Sequence, residues 1–145
     1  MVYFIDPSVE VNYSSTVNFP NLILIGTNSS QRSKITPAKQ IKLSNSEANG
    51  IFLIHNMEIN AQNVMNANGT AKTYLLAQNG DSSFGQVIFD DVKLLSLSGQ
   101  SLTYIFKKEA PAARSIADFT IQNSFLEFTS GTEPVSYTHL TLPTI

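Results

Sequence analysis

The chain has 145 residues, 42% of them hydrophobic and only 14% charged, with a formal net charge of −2. That is long enough for one domain with its own core, too apolar for intrinsic disorder, and without the basic surplus that marks a nucleic-acid binder. The absence of cysteine removes disulfides, thiolate metal sites and cysteine nucleophiles, and no apolar run reaches the roughly 18 residues of a membrane span.

In chain order, residues 1–20, with Pro7 and Pro20, read as a partial coil or cap. The opening residues lack a basic segment and a cleavage site, so no signal peptide is visible in this sequence. Leu22-Ile23-Leu24-Ile25-Gly26 is the first, faint copy of a recurring pattern. Stronger copies begin at Phe52, Val87 and Phe119. Each has two apolar residues flanking a variable one, then a polar residue, then Asn or Asp, then a second short alternating strand. Aligning Asn56, Asp91 and Asn123 gives steps of 35 and 32 residues, and Gly26 falls 30 residues before Asn56. Alternation with period two predicts strands. Between the main copies lies a further apolar strand, at Ile41-Lys42-Leu43, Tyr74-Leu75-Leu76 and Leu102-Thr103-Tyr104-Ile105.

Three short strands per repeat of about 30 residues predict a solenoid whose units bury their apolar faces only by stacking. The predicted fold is therefore all-β: an incomplete right-handed parallel β-helix of three to four coils over residues 21–133. A β-sandwich also has short strands and turn signals, but it gives no reason for a polar residue and then Asn or Asp to recur at one phase. Asn68-Gly69, Asn79-Gly80-Asp81 and Ser98-Gly99-Gln100 are turn signals, and the polar stretch from Lys107 to Ser115, with Pro111, is expected to project.

The segment from Asn21 to Phe128 resembles a Bacteroidetes family of uncharacterised cell-surface domains with pectin-lyase-like β-helices. The features that carry the resemblance are Leu22-Ile23-Leu24-Ile25-Gly26 and the rungs Ile54-His55-Asn56 and Ile121-Gln122-Asn123. It implies secretion or display on the outer-membrane surface of a bacterium, and a polysaccharide context. It supplies no catalytic residues. Asp91, where the sister rungs have Asn, departs from the pattern and would interrupt a continuous amide ladder.

The end of the chain carries a different resemblance. Residues 135–145, from Val135 to Ile145, resemble a translated transposon-type sequencing adaptor, so residues 134–145 are expected to be a non-native tail. On that reading the native sequence runs to about Glu133 and the protein continues beyond it, and His55 is the one native histidine, His139 belonging to the tail.

Asn56, Asp91 and Asn123 suit the sharp bend between two strands, because Asn tolerates unusual backbone angles and its amide bonds neighbouring backbone. The alternative for this column is calcium, the one cofactor to consider, at Asp90 and Asp91. Six to eight oxygens are needed, and two adjacent carboxylates at a bend diverge. Phe52, Ile54, Val87, Phe89, Phe119 and Ile121 are expected to face inward, with Leu53, Ile88 and Thr120 outward. Glu58 and Lys93 fall at one phase on neighbouring coils and are expected to pair.

His55, Asp90 and Gln122 share another column, in which His55 beside Asp90 is the one arrangement resembling an acid–base pair. No nucleotide loop, metal-binding histidine cluster or nucleophile elbow accompanies it. The leading functional expectation is thus a surface module that binds or displays near glycans, with Tyr104, Phe106 and Lys107 as candidate sugar contacts. The alternatives are a fragment of a polysaccharide lyase or glycoside hydrolase, and an architectural adhesin segment. Polysaccharide is the expected partner, with no nucleic acid and no membrane span.

Overall fold

The computed structural model describes residues 1–13, 21–37, 41–43, 50–61, 64, 74–78, 83–95, 104–106, 115–130 and 133–137. Among these the chain is all-β. Twelve strands follow one another: β1 (Val2–Ile5), β2 (Glu10–Tyr13), β3 (Asn21–Gly26), β4 (Ser33–Pro37), β5 (Ile41–Leu43), β6 (Ile51–Asn60), β7 (Tyr74–Gln78), β8 (Ser83–Leu95), β9 (Tyr104–Phe106), β10 (Ser115–Gln122), β11 (Phe125–Ser130) and β12 (Glu133–Tyr137). No described helix is long and apolar enough to cross a membrane.

The strands are mostly parallel and form a curled sheet. Along its first face β1, β3, β6, β8 and β10 are hydrogen-bonded side by side. The register stacks Leu22, Phe52, Val87 and Phe119 in one column, and Leu24, Ile54, Phe89 and Ile121 in a second. Phe52, Ile54, Val87, Phe89 and Ile121 are buried, whereas Leu53, Ile88 and Thr120, one residue out of phase, are half-buried on the outer side. Phe89 packs diagonally against Phe52 at 6.1 Å and against Phe119 at 6.2 Å between ring centroids. Each side chain fully buried here contributes about 1.5–3 kcal/mol. The apolar columns are thus the main glue between repeats.

Residues 1–20, expected as a partial coil or cap, supply β1 and β2. Tyr3, Phe4 and Ile5 of β1 pair with Leu24, Ile25 and Gly26 of β3. β1 ends the strand order, and its Val2, Tyr3 and Phe4 are exposed.

A second face follows after a bend: β2, β4, the later half of β6, the later half of β8, and β11. Its inner column is Val11, Ile35, Ile59, Leu94 and Leu126, all but the half-buried Val11 being buried. A separate three-stranded sheet, β5-β7-β9, takes the third strand of three successive repeats and aligns Ile41, Leu76 and Phe106. β12 is different: it runs antiparallel to β11, pairing Tyr137 with Leu126 and Glu133 with Ser130.

The bend has a specific chemistry. Asn56, Asp91 and Asn123 have φ of 53°, 52° and 52°, in the left-handed region that Asn and Asp enter at least cost among residues with a side chain. One such residue turns the chain from the first face to the second. Asn56 is buried, and its Nδ2 donates to the Gly26 carbonyl of the preceding repeat at 2.9 Å. Gly26 occupies the same column but for another reason. A Cβ there would collide with the main-chain oxygen of Asn56, so the close approach of two rungs, rather than a positive φ, demands glycine.

The turn signals at Asn68-Gly69, Asn79-Gly80-Asp81 and Ser98-Gly99-Gln100, and the projecting stretch ahead of Ser115, lie outside the described residues.

Candidate functional site

In the later repeats the two faces join through a single left-handed residue. In the first two they do not. Between Ile5 and Glu10, and between Gly26 and Ser33, the chain inserts short loops. Both are organised by carboxylate or amide turns of the kind short polar side chains favour. Asp6 Oδ1 accepts from the Ser8 amide at 2.8 Å and from its hydroxyl at 2.6 Å. Asn28 Oδ1 accepts from the amides of Ser30 at 2.8 Å and Gln31 at 3.1 Å. The Ile5 carbonyl ties the loops together, accepting from the Thr27 amide at 3.0 Å and the buried Ser33 hydroxyl at 2.6 Å.

The loops rise beside the outer side of the second face, and the space they bound is a groove of about 530 Å³. The loops contribute Pro7, Ser8, Ser29, Ser30, Gln31 and Arg32, and the strands contribute Glu10, Lys34, Glu58 and Lys93. Those four strand residues form one ladder in register, Glu10 to Lys34 to Glu58 to Lys93, alternating in charge. Unlike charges on adjacent strands of one face attract, so the alternation favours this register.

The charges are unevenly engaged. Lys93 Nζ lies 3.6 Å from Glu58 Oε2, the pairing expected from their common phase. Glu10 Oε1 accepts from the Thr36 hydroxyl at 2.5 Å. Arg32 reaches past the intervening repeat to Asp91, its guanidinium donating to both the main-chain oxygen and the carboxylate of that residue. Lys34 is exposed and makes no ion pair or hydrogen bond among the described residues.

The departure of Asp91 from the amide column is thereby explained. A carboxylate at this bend gives Arg32 a charged anchor where an amide oxygen would give a neutral one, and the anchor holds the far end of loop 27–32 against the sheet. In the preceding rung the buried Asn56 Oδ1 has no hydrogen-bond partner among the described residues.

A second cluster sits on the outer side of the first face. His55 Nδ1 is 3.0 Å from Asp90 Oδ2, and Asn123 Nδ2 donates to Asp90 Oδ1 at 3.0 Å. One carboxylate thus links three repeats. Gln122, which the register places beside Asp90, is exposed. Half-buried Ile25 stands beside His55 in the same column and half-buried Leu53 and Ile88 in another, and no cation pairs with His55 among the described residues. Asp90 and Asp91, the calcium candidates, turn to different partners, Asp90 to His55 and Asn123 and Asp91 to Arg32. No group of three acidic or histidine side chains able to hold a metal occurs among the described residues.

Of the sugar-contact candidates, Tyr104 and Phe106 lie on β9, opposite Tyr74 and Leu76 of β7; Lys107 lies outside the described residues. β9 belongs to the three-stranded sheet, apart from the strands that carry the groove and His55. Sequence reasoning paired Glu58 with Lys93 but missed Glu10, Lys34 and the role of Arg32. The signal was present: aligning the second strands puts Lys34 in phase with Glu58, and six residues intervene between Gly26 and Ser33 where none separates Asn56 from Met57.

Compared with known proteins, no family model matches the chain, and neither does a curated protein or a solved structure.

Proposed function

We propose that the stacked repeats are coils of a right-handed parallel β-helix, that the chain is a section of an extracellular or surface-displayed bacterial protein of the Bacteroidetes type, and that it binds saccharide. The observation that carries the binding reading is the groove. About 530 Å³ is room for a few sugar units, and its hydroxyls, amide and mixed charges are the donors and acceptors that sugar hydroxyls need. The recurring three-strand repeat and its bends at Asn56, Asp91 and Asn123 support the β-helix. The antiparallel course of β12, against the parallel trend, supports reading residues 134–145 as foreign to the stack; the uninterrupted gene would refute this by encoding them. The test of binding is a glycan array followed by calorimetry on the chain. Saccharide binding that Ser30→Ala and Gln31→Ala weaken is expected, and a blank array across plant, host and bacterial glycans overturns the reading.

A second reading, a polysaccharide lyase or glycoside hydrolase fragment, draws on the 3.0 Å contact between His55 and Asp90. A carboxylate on Nδ1 orients the ring and leaves Nε2 as the proton-accepting atom. Release of reducing ends from an oligosaccharide, abolished by His55→Gln, is what this reading requires.

A further inference from the structure

We infer that Lys34 is the groove's specificity residue and that it selects an anionic substituent, carboxylate or sulfate, on the bound saccharide; this rests on the groove being the saccharide site. The observation is a cation flanked in register by two acids and paired with neither. Glu10 and Glu58 are the register neighbours of Lys34 on the adjoining strands. Cross-strand neighbours of unlike charge ordinarily pair. Here Glu10 is engaged by the Thr36 hydroxyl and Glu58 by Lys93, and Lys34 is left exposed within the groove lining. Of the other two basic groups in the lining, Arg32 has its guanidinium committed to Asp91, and Lys93 is paired with Glu58. Among the described residues Lys34 is therefore the groove cation left without an acidic partner, and its ammonium presents up to three donors to a ligand.

The surroundings suit an anion attached to a sugar better than a bare ion. Ser8, Ser29, Ser30 and Gln31 line the same space and offer hydrogen bonds to ring hydroxyls on either side. The acids at Glu10 and Glu58 repel an anion placed off the Lys34 position, which turns the alternating ladder into a positional filter: a ligand is favoured when its charge falls on the Lys34 rung and disfavoured one rung away.

The experiment titrates the intact chain with a uronic-acid oligosaccharide, with its fully methyl-esterified twin, and with a sulfated oligosaccharide of similar length. A charge-assisted hydrogen bond corresponds to about tenfold in affinity, so the uronate is expected to bind about tenfold more tightly than its ester. Lys34→Gln should erase that difference by lowering the uronate to the level of the ester, and Lys34→Arg should keep it. The sulfated probe separates the two anion sources: preference for it over the uronate assigns sulfate, and the reverse assigns carboxylate. Equal binding of acid and ester overturns the inference and leaves the saccharide reading standing. If none of the three binds, the saccharide reading falls, and a titration with sodium sulfate followed by amide chemical shifts decides the anion site alone. Shifts centred on Lys34 and lost in Lys34→Gln support the site, and unchanged shifts at Lys34 overturn it. Circular dichroism of both variants checks that the fold is intact, which an exposed position should allow.

Discussion

Replacing Asn56 separates the two functions the bend asks of one residue. At φ 53° an alanine pays the left-handed penalty, about 1–2 kcal/mol. It also loses the 2.9 Å bond to the buried Gly26 carbonyl, and an orphaned buried acceptor costs about 1–3 kcal/mol. Some of this returns, because Asn56 Oδ1 is itself buried without a partner and its removal relieves about 1 kcal/mol. The net expectation for Asn56→Ala is a loss of about 2–3 kcal/mol. Asn56→Gly keeps the backbone angle free of strain and loses only the hydrogen bond and some chain entropy, about 1–2 kcal/mol. Asn123 is the control: its φ is 52° but it is exposed, and among the described residues its amide reaches the Asp90 carboxylate alone. There, alanine should cost about 1–2 kcal/mol and glycine nearly nothing. Urea unfolding followed by circular dichroism, with the slopes compared across variants, reads these differences. If glycine and alanine are equally damaging at both positions, the left-handed angle is not what selects Asn, and the account of the bend is wrong.

Three further outcomes test other parts of the structure. Arg32→Gln should change stability by no more than about 1 kcal/mol, since the pair with Asp91 is partly exposed, yet speed amide hydrogen exchange in loop 27–32; unchanged exchange would show that the loop does not depend on Asp91. Phe4, 70% exposed on the end strand β1, belongs to an open apolar edge of the kind that recruits other strands. Phe4→Lys should therefore lower concentration-dependent association in sedimentation velocity, and equal association of the two forms would place the contact elsewhere. Asp6 is held below its ordinary value of 3.8, first by the Ser8 hydroxyl and then by the Ser8 amide. A carboxyl depressed in the folded state stabilises above its unfolded value, and that contribution disappears as pH falls through the folded one. An NMR titration should find the Asp6 midpoint below 3.8 and moved upward by Ser8→Ala, and an unmoved midpoint would refute the assignment.

The strands were legible because burial imposes their period. Phe52, Ile54, Val87 and Phe89 alternate with half-buried residues and repeat at nearly constant spacing, so sequence phase predicts register wherever no residue intervenes at the bend. The third strands were legible for the same reason: Ile41 and Leu76 are buried and stand in register. Gly26 was harder. Its place in the column is visible, but the reason for glycine there is the main-chain oxygen of Asn56, a contact made only when two repeats stack.

The groove was illegible for a related physical reason. Solvent-facing charges obey no burial constraint, so nothing in the sequence singles out Lys34 until the register sets it between Glu10 and Glu58. Arg32 meets Asp91 across 59 residues of sequence, and no local pattern encodes that partnership. The sequence does carry its trace, in the one rung where Asp stands in place of Asn. An anomaly in a repeat column is a place where some outside group has intervened, and here that group holds the wall of the groove. The same logic predicts that Asp91→Asn, the substitution that would restore the column, should offer the Asn56 main-chain oxygen the amide that Asn56 offers Gly26, and weaken the hold on Arg32 and loop 27–32. Regularising the stack would then loosen the groove, so stability and groove order should move in opposite directions in that single variant.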